Sequence, residues 1–170
     1  MTRSQLEHVI RAAGAIAEVE TLIIIGSQAI LGFDPDPPSE LLVSMEVDLY
    51  PPADVEKSDL IDGSIGEDSI FHETFGYYAH GIGPETAVLP RTWASRLIEL
   101  KNENTNQIAG LCLHPLDLAV SKLAAGREKD VAFVRSMLRH GMVDVDKLRI
   151  LTEEIDEQTR LKIRPLIERM

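Results

Sequence analysis

Apolar positions recur at helical spacing near both ends of the chain and form short straight or alternating runs between them. Leu6, Val9, Ile10, Ala13, Ile16 and Ala17 follow a 3.6-residue period and predict an N-terminal helix. Ser4 and Glu7 stand at the spacing of a capping box at its start. Residues 21–25 (Thr-Leu-Ile-Ile-Ile) are apolar without alternation, which predicts a short strand buried on both faces. Gly26-Ser27 ends that strand, and Gln28-Ala29-Ile30-Leu31 can start a helix. The proline-rich stretch 34–39 must be a loop. Val43, Met45, Val47 and Leu49 then alternate with Ser44, Glu46 and Asp48, predicting a strand over 42–50 that Pro51-Pro52 stops. Residues 53–70 read as loop with a short helix, and 71–89 as an unresolved mixture of strand and turn. Residues 96–101 and 108–114 read as a strand pair, joined by the polar turn 102–107.

From Pro115 onward the period is helical throughout. Leu116, Ala119, Val120, Leu123 and Ala124 make one stripe, with Gly126 as its closing residue. Val131, Val134, Met137 and Leu138 make the next, capped by Gly141. Asp144 can cap a third helix carrying Leu148 and Leu151, and a fourth segment from Asp156 should break or kink near Pro165. The order predicts an α+β fold: a small mixed sheet in residues 1–114 and a helical part in 115–170, packed together as one structural unit.

Composition changes this picture little. The chain has 170 residues, 44% hydrophobic and 26% charged, as a globular domain does. The lone cysteine, Cys112, excludes an intrachain disulfide and a multi-cysteine zinc site. The longest aliphatic run, Leu22 to Ile25, is too short for a bilayer, so no membrane partner is expected. Residues 1–7 lack a charged-then-apolar signal pattern, so a cytoplasmic location is expected. The net charge of −11 is uneven: residues 34–85 hold thirteen acids and one base, Lys57, whereas the second half is mildly basic. Such a balance disfavours a large nucleic-acid footprint. The acidic middle is either a solvated loop region or a holder of divalent cations.

Three stretches carry candidate chemistry. Gly26-Ser27 lies between a buried strand and a helix start, where free N–H groups and a hydroxyl suit a phosphate. Glu46 and Asp48, two apart on a strand, project from one face while Val47 enters the core. Two such carboxylates repel unless a cation lies between them, and magnesium accepts one or two carboxylates plus phosphate oxygens. Lys122 interrupts an apolar helix, followed by Arg127, Lys129 and Asp130 at its end. A snorkelling lysine and a surface ion-pair cluster account for them, as does a cationic rim for phosphates. The five histidines show no helical metal spacing, although His72 and His80 flank an aromatic stretch and can line a pocket. No Gly-x-Ser-x-Gly or Walker-type sequence occurs.

Taken in order, Ile25-Gly26-Ser27, Glu46-Val47-Asp48-Leu49, Lys122-Leu123-Ala124-Ala125 and Asp130 resemble the minimal nucleotidyltransferase superfamily of the polymerase-β-like fold. The nearest type is AbiEii-like toxins and related nucleotidyltransferases. The resemblance covers about residues 20–135. It implies transfer of a nucleoside monophosphate from an NTP to an acceptor hydroxyl on a tRNA end, a protein or a small molecule. Gly26 and Ser27 would hold phosphates, Glu46 and Asp48 would ligate Mg2+, and Lys122, Arg127 and Lys129 would neutralise triphosphate charge. Asp130 would order Lys122 or the acceptor. An antitoxin-type protein partner is implied by the AbiEii-like relatives.

The chain departs from the pattern in three places. Glu46 stands where the commonest form has Asp, and eighteen residues separate it from Ser27, more than usual. No third carboxylate has an evident place; Glu99 and Glu85 are the candidates. Without one, a non-catalytic binding or scaffold protein on the same fold is the alternative.

Overall fold

The computed structural model describes residues 1–170. Its elements run α1 (Arg3–Ala17), β1 (Thr21–Ile24), α2 (Ile30–Phe33), β2 (Glu46–Tyr50), α3 (Lys57–Ile65), α4 (Ile70–Phe75), β3 (Tyr78–Gly81), β4 (Ile98–Leu100), β5 (Ala109–Cys112), α5 (Pro115–Ala125), α6 (Glu128–Arg139), α7 (Val145–Thr152) and α8 (Glu157–Ile167). Eight helices around a five-stranded mixed sheet make the fold α+β, as the sequence pattern predicts. No helix is long and apolar enough to cross a membrane.

The strand order is β3-β2-β1-β5-β4. The β1–β2 and β4–β5 pairs are antiparallel, and β1–β5 and β2–β3 are parallel. The unbroken apolar run of β1 is explained by its position: it is the middle strand, and Leu22, Ile23 and Ile24 are all buried. One hydrophobic core of 36 buried residues takes side chains from the sheet, from α1 and α3, and from α5–α8 alike. Close packing shows in the glycines: a Cβ on Gly110 would meet Ile10 of α1 at 2.4 Å, and one on Gly14 would meet Ile108 at 2.4 Å.

Several local expectations shift. The capping box of α1 is made by Thr2 and Gln5, not by Ser4 and Glu7. Glu7 instead points inward and accepts hydrogen bonds from Asn102 and Asn104, both at 2.9 Å. The alternation over 42–50 makes a strand only from Glu46, because Val43 and Met45 are 81% and 54% exposed and belong to the preceding loop. The unresolved region 71–89 holds most of α4 and the edge strand β3. In the helical part, Gly126 and Gly141 both adopt φ of +68°, the left-handed conformation that ends α5 and follows α6. Asp144 and Asp156 cap α7 and α8 through backbone N–H groups of Lys147 and Thr159, each at 2.9 Å. The expected break at Pro165 is absent. It sits in the last turn of α8, where its missing N–H removes one ladder bond only.

Candidate functional site

The register of the sheet assembles the site. Ile24 of β1 faces Leu49 of β2, and the Ile25 N–H donates to the Asp48 carbonyl at 3.1 Å. The Gly26 turn therefore lies directly against Asp48. A Cβ on Gly26 would sit 2.1 Å from Asp48 Oδ2 and 2.8 Å from its Cβ, so only glycine allows this approach. Val47 and Leu49 are fully buried on the opposite strand face, which leaves Glu46 and Asp48 projecting together. Ser27 opens a three-residue 3-10 turn that leads into the four-residue α2. So short a helix brings no appreciable dipole to the turn, which leaves the serine hydroxyl and the close-packed glycine.

On the other side of β2, the parallel pairing with β3 sets Glu46 level with Tyr78 and Asp48 level with His80. The Tyr78 hydroxyl donates to Glu46 Oε2 at 3.1 Å. His80 Nδ1 lies 3.0 Å from Asp48 Oδ1 and 3.8 Å from Glu46 Oε1. One ligand atom from each of Glu46, Asp48 and His80 falls within 4.8 Å of the others. Burial, and then the neighbouring Glu46, pushes the Asp48 carboxyl up to about 6, against the opposing pull of His80. Burial and Glu46 likewise push the Tyr78 phenol up to about 12. Two carboxylates this close, one reluctant to ionise, form a donor set that a divalent cation fits.

The cations come from the α5–α6 junction. Gly126 turns the chain, so that Arg127 precedes α6 and Asp130 lies in its first turn. Asp130 is buried, takes Arg127 Nε at 2.5 Å and Lys122 Nζ at 3.2 Å. Burial opposes its ionisation, but the Arg127 hydrogen bond and the Lys122 charge win and hold the carboxyl below its ordinary range. Arg127 is in turn held protonated, first by Asp130 and more remotely by Asp48 and Glu46. Lys122 Nζ also lies 5.4 Å from the Phe133 ring centroid. Lys122 thus does not merely snorkel: its ammonium is fixed over a buried acid.

A cavity of about 510 Å³ joins these parts. Its lining includes Ser27, Glu46, Asp48, Lys122, Arg127, Lys129 and Asp130. Gly26 stands behind Ser27, against Asp48. Glu40, in the short turn after the proline-rich loop, also lines the cavity and accepts from Ser136 and Arg139 of α6. Acidic and basic side chains thus line one space.

Other candidates lie elsewhere. Glu99 is on β4, separated from β2 by β5 and β1. Glu85 follows β3, close enough to Tyr50 at the far end of β2 to help raise its phenol, after burial. Neither joins the acidic pair. Neither histidine lines the cavity: His72 packs on the Tyr78 ring at 4.6 Å, and His80 sits beside the acids. His80 is the participant that sequence reasoning misses as a donor. Its only signal is its position next to aromatic residues, since the register that brings it to Asp48 is non-local.

Comparison with curated proteins and with solved structures gives no match. A family model described as a nucleotidyltransferase of unknown function (DUF6036) matches residues 4–164. The match runs through nearly the whole sequence and every segment of the cavity, and the chain therefore belongs to this nucleotidyltransferase family.

Proposed function

We propose that the protein is a magnesium-dependent enzyme of the cytoplasm that transfers a nucleoside monophosphate from an NTP to an acceptor hydroxyl. The observation that carries this is the shared cavity, whose lining brings the Glu46–Asp48 pair together with Ser27 and the basic side chains of Lys122, Arg127, Lys129 and Arg139. Glu46 and Asp48 would hold Mg2+, which supplies charge neutralisation on the phosphates during an in-line displacement. The Ser27 hydroxyl would donate to a terminal phosphate, with Gly26 keeping the turn close. Lys122, Arg127 and Lys129 would draw the triphosphate in, and Asp130 keeps the first two in position. The acceptor hydroxyl gives its proton to solvent as its oxygen forms a bond to the α-phosphorus, the bond from that phosphorus to the bridging oxygen breaks, and pyrophosphate leaves. Such catalysis is mostly positioning and charge stabilisation, so loss of either acid should cost orders of magnitude in rate.

The resemblance to AbiEii-like toxins extends the proposal to a toxin held by an antitoxin-type protein, with a tRNA end or a protein as acceptor. Incubation with each labelled NTP, Mg2+ and a cell extract tests the reaction. A labelled macromolecule, absent with Asp48→Ala, is the expected result. No labelled product from any NTP overturns the enzyme reading. Nucleotide-dependent thermal stabilisation without product would favour a binding protein on the same fold.

A further inference from the structure

We propose that His80 is the third protein ligand of the divalent ion held by Glu46 and Asp48, and that its nitrogen turns the site from Mg2+ toward first-row transition ions such as Mn2+. This rests on the reading that the acidic pair binds a metal.

The distances suit a common ion. In a six-coordinate shell with bonds of about 2.1 Å, neighbouring donors lie about 3 Å apart and opposite ones about 4.2 Å. His80 Nδ1 lies 3.0 Å from Asp48 Oδ1 and 3.8 Å from Glu46 Oε1, within that span. The position follows from the backbone, because Asp48 and His80 are register partners in parallel strands. Apart from their contacts with one another, these three atoms have no protein hydrogen-bond partner. Tyr78 donates to the other Glu46 oxygen, Oε2. Asp48 Oδ2 lies against the space where a Gly26 side chain would be, so Oδ1 is the oxygen turned to His80. The imidazole makes no other protein hydrogen bond and is half-exposed, so Nε2 can carry the proton in water while Nδ1 offers its lone pair.

The chemistry of the donor set gives the selectivity. Mg2+ takes oxygen ligands and keeps its waters, whereas an imidazole nitrogen favours transition ions. Neither Glu99 nor Glu85 reaches the pair to make an all-oxygen set. The rival account is a plain hydrogen bond between His80 and Asp48, with no role for the ring in metal binding.

Mn2+ is the probe. The full chain, uniformly 14N or labelled with 15N-histidine, is titrated with Mn2+ and read by electron paramagnetic resonance and spin-echo modulation. Mg2+ affinity comes from competition. The expected result is a directly bound nitrogen whose coupling changes with the 15N label. His80→Ala should lose it and weaken Mn2+ binding about tenfold or more, since even an outer partner of a ligand costs about that much. His80→Asp, an all-oxygen set, should lose the nitrogen signal, keep Mg2+ binding and narrow the Mn2+ to Mg2+ ratio. Melting curves check both variants, and the aspartate variant carries the comparison if the alanine one does not fold. Mn2+ binding that is lost in Asp48→Asn, but shows no nitrogen and is unchanged in the His80 variants, overturns this proposal and leaves the carboxylate metal site standing. Absence of both Mn2+ and Mg2+ binding in the wild type overturns the two together.

Discussion

Asp48→Asn should stabilise the metal-free protein at neutral pH. Asparagine keeps the shape and can still accept from His80, but removes the charge that burial and Glu46 oppose. The folded-state value of about 6 lies above the ordinary 3.8, so the native state holds the proton more tightly than the unfolded chain does. That stability is fully present below pH about 4 and is lost as pH rises through about 6. At 1.36 kcal/mol per pH unit the difference amounts to about 3 kcal/mol at most, and the partial exposure of the side chain reduces it. For a chain of this length each kcal/mol moves the melting temperature by about 2–4 °C. The assay is thermal unfolding of both proteins in chelator from pH 4 to pH 8. The wild type should lose stability relative to the variant across pH 4 to 6, and the variant should melt several degrees higher at pH 8. Millimolar Mg2+ should then close the gap by stabilising only the wild type. Parallel pH profiles, or equal Mg2+ stabilisation of both proteins, would refute the reasoning.

Gly26→Ala places a methyl 2.1 Å from Asp48 Oδ2 and should cost about 1–3 kcal/mol and displace the carboxylate; unchanged divalent-ion affinity by calorimetry counts against the close approach as the reason for glycine. Asp130→Asn leaves Lys122 and Arg127 without their buried partner and should lower unfolding free energy by about 3 kcal/mol in urea titrations. Lys122→Met should weaken NTP binding about tenfold while Mn2+ affinity stays as in the wild type, since the ammonium is tied to Asp130 rather than to the metal donors. Asp117→Asn breaks the buried pair with Arg96, at 2.6 and 2.9 Å, and should destabilise by about 3 kcal/mol with no change in nucleotide-induced stabilisation.

The local pattern carried some elements and not others, for physical reasons. The β4–β5 pair and the four C-terminal helices were legible because their apolar stripes face one core and their ends are marked by Gly126, Gly141, Asp144 and Asp156. The glycine turn and the acidic pair were legible as types and order, because short-range strand alternation sets which way Glu46 and Asp48 point. Their meeting was not, since it depends on β1 lying next to β2. Region 71–89 stayed closed to pattern reading because Phe71, Phe75 and Tyr77 answer to His8 of α1, with ring centroids 5.1, 4.7 and 6.0 Å away. Val43 and Met45 misled in the opposite sense: their alternation with polar neighbours is present, but both side chains are exposed instead of entering the core. The start of α1 was displaced by two residues because Glu7 is used by a distant turn instead of a cap.

Because β2 and β3 run the same way, the chain must cross the sheet between them, and α3 and α4 occupy that excursion. The His80 ring reaches Asp48 only once this detour has closed; the two residues are thirty-two positions apart. An ion gripped by all three side chains would therefore act as a clasp on the excursion, fastening an edge strand that otherwise has a neighbour on one side only. Metal occupancy would then report on whether this margin of the sheet is shut, and amide exchange in residues 78–81 should slow when the ion binds.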